Sequence, residues 1–213
     1  NVVNVDGTLA VLAAAKASNV KRVVFASSAA TYGDLTEMPL HEDMKTYPIS
    51  PYGLHKYVGE HYCRLWSFLY GQECVSLRYF NVYGPNFDPY GAYPLVVGYF
   101  LERLRQGKTL TITGDGSNTR DYVHVKDIAR ANLLAATQES VGRGEVINIG
   151  SGVETSTQEI ADLIGGEIEY LAPRIEPKRV VADATRAKTL LGWQSEIDLA
   201  QGITDLKQEI VGA

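Results

Sequence analysis

A tyrosine and a lysine stand four residues apart in Ser50-Pro-Tyr52-Gly-Leu-His-Lys56. Four residues is about one turn of an α-helix, so the phenol and the ammonium share a face. A free phenol titrates near pH 10 and is a poor base at neutral pH, but a close cation favours its phenolate. The pair therefore suits proton transfer. Taken alone, the spacing also fits a buried tyrosine beside a solvated lysine, so the setting has to decide. Upstream, the apolar run Arg22-Val-Val-Phe-Ala26 leads into Ser27-Ser28-Ala-Ala-Thr-Tyr32-Gly33 and sets serine hydroxyls at the end of a strand. In α/β sheets the C-terminal ends of strands face the crevice where ligands bind. Ser28 in that place can bridge a substrate hydroxyl to Tyr52. In isolation it would read equally well as a turn residue capping the next segment. A serine nucleophile is disfavoured, because no Gly-x-Ser-x-Gly elbow surrounds it.

Positioning these groups requires strands and helices that alternate, and the patterning alternates throughout, which predicts an α/β fold. Apolar residues at Val5, Leu9, Leu12 and Ala13 predict a helix over 5–17, followed by a strand over 22–26. A loop rich in Gly, Pro and acids reaches Pro51, which suits the first turn of a long helix. On that helix Tyr52, Val58, Tyr62, Leu65, Trp66 and Leu69 mark one face. Strands are expected at 75–80, 109–113, 146–149 and 168–171, and helices at 95–104, 125–137, 157–164, 184–191 and 199–211. The turn Gly114-Asp-Gly116 closes one strand, and Gly165-Gly166 stops a helix. Gly150-Ser-Gly152 lies between a strand and a helix, but two glycines read as loop geometry rather than a phosphate loop.

The 213 residues are 45% hydrophobic and carry a net charge of -5, with a pI near 5.4. That balance repels a phosphate backbone, and the basic residues are scattered, so nucleic acid is not an expected partner. The longest apolar runs fall well short of the roughly 18 residues that cross a bilayer. Cys63 and Cys74 lack the paired spacing of a redox or zinc motif, and the four histidines are dispersed, so no metal site is expected and a reducing cytoplasm fits.

Several blocks, in order, carry a family resemblance. Asn4-Val-Asp-Gly-Thr8 opens the series, then Ser27-Ser28-Ala with Tyr32-Gly33, then Ser50-Pro-Tyr-Gly-x-x-Lys56. Leu77-Arg-Tyr-Phe-Asn-Val-Tyr-Gly-Pro85, Thr119-Arg-Asp-Tyr-Val-His-Val-x-Asp127, Ala182-Asp183 and Leu190-Leu-Gly-Trp193 follow. This series resembles the extended short-chain dehydrogenase/reductases of the UDP-glucose 4-epimerase type over nearly the whole chain. The resemblance implies a Rossmann-like doubly wound parallel sheet over 1–90 and 118–150, with a smaller substrate-binding lobe over 91–117 and 151–213. It implies NAD as cofactor, a UDP-sugar as substrate, and a homodimer paired through helices.

It also implies roles for particular residues. Ser28, Tyr52 and Lys56 would be catalytic, Lys56 also holding the nicotinamide ribose. Asn4, Ser27, Tyr52, Tyr79 and Phe80 would touch the cofactor, although strand aromatics such as Tyr79 and Phe80 pack into cores just as readily. Asn81 and Arg120 would hold the substrate's phosphates, Arg120 otherwise being a surface ion pair with Asp121. Arg174 would be a second phosphate contact, within a Pro173-Arg-Ile-Glu176 pattern shifted from the usual one. Asp121, His124 and Asp127 would orient Arg120 and start the next helix, and Asp183 would cap a helix.

No Gly-x-Gly-x-x-Gly turn occurs, so the sequence reads as a dinucleotide fold entered midway. In that case the 213 residues alone would bind NAD weakly and show no turnover. Ala29 and Ala30 stand where related dehydratases and decarboxylases carry an acid, and no lysine occurs between Val82 and Gly107, where an ADP-heptose 6-epimerase would place its second catalytic lysine. C4 epimerisation is therefore the preferred reaction. A non-catalytic nucleotide-binding or regulatory protein on the same fold is the alternative of another class.

Overall fold

The structure is a computed structural model and describes residues 1–91, 95–174 and 176–212. A π-turn at Val2–Asp6 runs into α1 (Gly7–Ala17), then β1 (Arg22–Ser28), a 3-10 turn at Ala29–Thr31 and α2 (Pro51–Tyr70). Next come β2 (Glu73–Tyr79), β3 (Asn81–Tyr83), α3 (Val96–Arg105), β4 (Leu110–Thr113), β5 (Thr119–His124) and α4 (Val125–Thr137). The chain closes with β6 (Arg143–Ile149), β7 (Glu154–Ser156), α5 (Thr157–Ile164), β8 (Ile168–Leu171), β9 (Arg179–Val180), α6 (Thr185–Leu191) and α7 (Leu199–Val211).

Three parallel strands in the order β1-β2-β6 form the central sheet, with Ser28 beside Tyr79 and Tyr79 beside Ile149. Helices cover both faces, as a doubly wound fold requires. On one face Leu12 of α1 and Cys63 of α2 pack with Cys74. On the other, Ile128 and Ala131 of α4 and Leu191 of α6 pack on Val75, Leu77 and Ile147. Trp193 is buried in that second layer, and its indole N–H donates to the carbonyl of Asp127 at 2.9 Å.

A separate core joins α3, α5 and α7 to β4 and β5 through Phe100, Leu101, Ile112, Ile160 and Ile203. Beside it, β3 pairs with β5 in parallel, β5 pairs with β7 antiparallel and with β9 in parallel, and β4 pairs with β8.

Several elements differ from the sequence reading, among them the short strands β3, β7 and β9, which it does not anticipate. The first helix is preceded by the π-turn, and its buried residues are Leu12 and Ala15, with Ala13 exposed. β5 was not read as a strand, because its charged residues hide its periodicity. The inward face of the long helix matches that reading only in part: Gly53, Gly59, Glu60 and Cys63 are its buried residues and Tyr62 and Trp66 pack partly buried, whereas Tyr52, Leu65 and Leu69 are exposed. Close packing explains this, since a Cβ on Gly59 would come within 2.3 Å of the Phe25 ring, and one on Gly53 within 2.4 Å of the Ala30 carbonyl oxygen. The smallest residues of α2 bring its backbone against β1, Tyr62 and Trp66 pack partly buried beside them, and Leu65, Phe68 and Leu69 are left outside.

Candidate active site

α2 begins at a well-made cap. The Ser50 hydroxyl accepts from the Gly53 N–H at 3.0 Å, and Pro51 occupies the first turn, where its missing N–H costs nothing. Tyr52 therefore sits in the opening turn and is 49% exposed. One turn on, the Lys56 ammonium lies 5.7 Å from the Tyr52 ring centroid and donates to the Ala26 carbonyl at 2.7 Å. Burial lowers the pKa of Lys56. Ser28 ends β1, and its hydroxyl oxygen accepts from the Ala30 N–H at 3.1 Å. The cap on α2 and the bond to Ala26 thus set the first turns of the helix against the end of β1.

Along the outer edge of β1 runs an apolar slot of about 350 Å³, lined by Val3, Gly7, Val11, Val24, Phe25 and Lys56. Asn4 belongs to the π-turn beside it, and its carbonyl accepts from the Thr8 hydroxyl at 2.9 Å. Lys56 is the one charged residue lining this slot, and neither Ser28 nor Tyr52 lines it. Ser27 is buried and its hydroxyl donates to Glu60 at 2.5 Å, so that side chain is spent within the protein. Phe80 is buried with Tyr32, Leu40 and Ala182, and the Tyr79 hydroxyl donates to Asn132 at 2.8 Å; both aromatics pack.

The strands carry the site on to a second region. Beyond Tyr79 the chain reaches half-buried Asn81, which lies beside Tyr122 in register, two residues from Arg120. Arg120 donates to Glu176 at 3.0 Å, and Glu176 also lies 3.6 Å from Arg174 and accepts from Asn118 at 3.1 Å. Asn118, Arg174, Glu176 and Lys178 line an open cavity of about 970 Å³, together with Thr113 and Tyr170. Asn118, Glu176 and Lys178 were assigned no role in the sequence, although Glu176 stands inside a quoted motif and Lys178 in a basic pair. The side chain of Arg174 is 71% exposed there. Ser28, Tyr52 and Asn81 do not line this cavity.

Two expectations about the Thr119-Arg-Asp motif are corrected. Arg120 is paired with Glu176, not with Asp121. Nor does Asp121 orient it, since the Asp121 carboxylate accepts from the N–H groups of Ser151, Gly152 and Ala182 and from the Ser151 hydroxyl. Burial pushes its carboxyl up against those bonds. A Cβ on Gly150 would lie 2.7 Å from Asp121, so the glycine allows this acid to hold the loop.

His124 caps α4 by accepting from the Lys126 N–H, and burial lowers its pKa. Asp127 accepts from Arg130, Ser195 and the N–H groups of Glu196 and Ile197, tying α4 to the segment after Trp193. Asp183 accepts from the Thr185 N–H at 2.8 Å at the start of α6, but the helix's N-cap is Ala184, so Asp183 stands one residue before the cap it was expected to be.

The chain matches the NAD dependent epimerase/dehydratase family over residues 1–150. The UDP-glucose 4-epimerase of Mycolicibacterium smegmatis is 42% identical over 209 residues, covering 94% of this chain and 66% of that protein. A crystal structure of UDP-glucose 4-epimerase with UDP-glucose from Thermotoga maritima is similar, with a TM-score of 0.90 at 37% identity over 96% of this chain and 68% of that one. The UDP-glucose 4-epimerase of Thermus thermophilus in complex with NAD gives 0.88 at 33% identity, over 99% of this chain and 70% of that one. The chain spans about two thirds of the length of the curated relatives it matches.

Proposed function

Because this chain belongs to the NAD dependent epimerase/dehydratase family, we propose that it carries the catalytic wall of a nucleotide-sugar 4-epimerase acting on UDP-glucose or UDP-galactose. The observation that carries the reading is the Tyr52 and Lys56 pair on the first turns of α2, docked through Ala26 against the strand that ends at Ser28. Tyr52, helped by Ser28, takes the proton of the sugar 4-hydroxyl and later returns it. NAD, when bound, supplies reversible hydride exchange at C4 through a transient 4-keto sugar. Lys56 holds the nicotinamide ribose and favours the phenolate, with Asn4 and the apolar slot along β1 on the same side.

Asn81, Arg120 and Arg174 hold the nucleotide end while the sugar turns over. An open cavity lined by Arg174, Lys178 and Arg179, with Arg120 bonded to its lining residue Glu176, suits a pyrophosphate, for which guanidinium groups are well shaped. Alanines at 29 and 30 leave no acid beside Ser28 for dehydration or decarboxylation. The exposed apolar residues of α2, Leu65, Phe68, Leu69 and Tyr70, support pairing of two copies through this helix. Cys63 and Cys74 are buried free thiols, consistent with a reducing cytoplasm.

Tyr52→Phe in the full-length protein tests the reading. Interconversion of UDP-glucose and UDP-galactose should fall by at least roughly 100-fold, the low end of general acid–base effects, while UDP binding persists. Turnover near the parental rate would remove Tyr52 from proton transfer.

A further inference from the structure

The face of α2 that bears Tyr52 and Lys56 continues, four residues further, to Glu60. Glu60 is the helix's one acidic residue and is 3% exposed. Both of its oxygens are engaged. Oε1 accepts from the Ser27 hydroxyl at 2.5 Å and from Arg78 Nε at 2.8 Å, and Oε2 accepts from Arg78 Nη2 at 2.7 Å. Ser27 precedes Ser28 on β1, and Arg78 is its register partner on β2. One carboxylate therefore joins the helix to two strands at the residue next to the strand end. The loop beyond is tied to the same group. The Tyr32 ring lies 4.5 Å from the Arg78 guanidinium, and its hydroxyl donates to Asn148 at 2.8 Å.

Packing alone does not set the register of α2. The contacts of Gly53 with Ala30 and of Gly59 with Phe25 fix how closely helix and strand approach, but close contact with small residues is not directional. A carboxylate held by three directional bonds is. Burying an ion pair costs much of what its attraction returns, so a well-packed apolar pair would hold the layers together about as well. What the charged bridge adds is position.

We propose that Glu60 is a positioning residue: through Ser27 and Arg78 it sets the height and rotation of α2, and so the distance of Tyr52 and Lys56 from Ser28. The kinetic part of this inference rests on the epimerase reading above; the structural part does not.

Two variants of the full-length protein separate the bridge from general stability. Ser27→Ala removes one bond and leaves the ion pair intact. The double variant Glu60→Met with Arg78→Met removes the bridge while keeping an apolar filling, a type of exchange that folded proteins often tolerate. Each should stay folded and lower kcat by about 10- to 100-fold, the scale of a small misplacement at a reacting centre, with KM for the nucleotide sugar within about twofold. Amide hydrogen exchange in Ser27→Ala should rise several-fold over residues 27–31 and 51–56 but not over the end of α2. An unchanged kcat in folded variants, or a loss confined to KM, overturns the proposal. Should the parent itself turn over no nucleotide sugar, the epimerase reading falls, and the exchange measurement still decides the bridge: unchanged protection over those residues overturns it.

Discussion

Arg78 on β2 and Arg120 on β5 are both held by a glutamate, yet the regions around them differ in kind. Arg78 and Glu60 are each 3% exposed and meet through two bonds beneath α2. Arg120 meets Glu176 through a single bond at 3.0 Å beside an open cavity, and Glu176 is shared with Arg174 and Asn118. In the first region both side chains are only 4% exposed at the border of a polar cavity of about 410 Å³, so either charge would lose most of its solvation if its partner were removed. In the second, Arg120 and Glu176 are more exposed, at 15% and 22%, and the carboxylate has other partners, so on the proposed reading Arg120 would give up Glu176 for a phosphate at less cost. Burial, more than charge, separates a clamp from a grip.

The largest effect follows from breaking the clamp. Arg78→Ala leaves the Glu60 carboxylate buried with only the Ser27 hydroxyl, and it should cost about 3–5 kcal/mol of folding stability, read from the urea midpoint. A loss under about 1 kcal/mol would mean that water reaches Glu60, and the two regions would then be alike.

Asp127 lies between these extremes, with its own side chain buried and its partner Arg130 part-exposed. Burial alone would raise its carboxyl, but bonds from Ile197, Arg130, Glu196 and Ser195 outweigh that and hold it below the usual range. A depressed carboxyl contributes stability that is present above the unfolded value near pH 3.9 and disappears as the pH falls through the folded one. Asp127→Asn should therefore cost about 1.5–3 kcal/mol near neutral pH, the scale of hydrogen bonds to a charged group. The gap between variant and parent should close as the pH drops below about 4. A gap that stays constant down to pH 2.5 would show that the bonds, and not the charge, carry the effect.

What could be read in the sequence was local. α4, α5, α7 and β8 occupy the residues that their apolar spacing predicts, and α5 carries a complete capping box from Ser156 and Glu159. Tyr52 and Lys56 were legible for the same reason, since one helical turn joins them. Glu60 was not, because its partners Ser27 and Arg78 lie 33 and 18 residues away. β5 was missed as a strand because Arg120 and Asp121 break its apolar pattern, and each is satisfied by distant groups, Glu176 for one and the 150–152 loop with Ala182 for the other. Only part of the inward face of α2 is legible, since Tyr62 and Trp66 pack inward but Gly53 and Gly59, which carry no hydropathy signal, allow its close approach to β1.

The smallest change in stability, and the one that most sharpens the difference between clamp and grip, is expected of Arg120→Ala. Glu176 keeps Arg174 and Asn118 after the substitution, so no buried charge is stranded and the loss should be about 1 kcal/mol or less. If Arg120 takes a phosphate in the complex, however, the same substitution should weaken UDP binding by about tenfold, close to 1.4 kcal/mol, as read by calorimetry. The loss should shrink at high salt, because the cavity is open and its charges are screened. The Arg78→Ala variant should show the opposite balance, with a large loss of stability and little change in UDP affinity once it is folded. Unchanged UDP affinity in Arg120→Ala would mean that Arg120 stays with Glu176 when the nucleotide binds, leaving Arg174, Lys178 and Arg179, which line the cavity, to meet its phosphates.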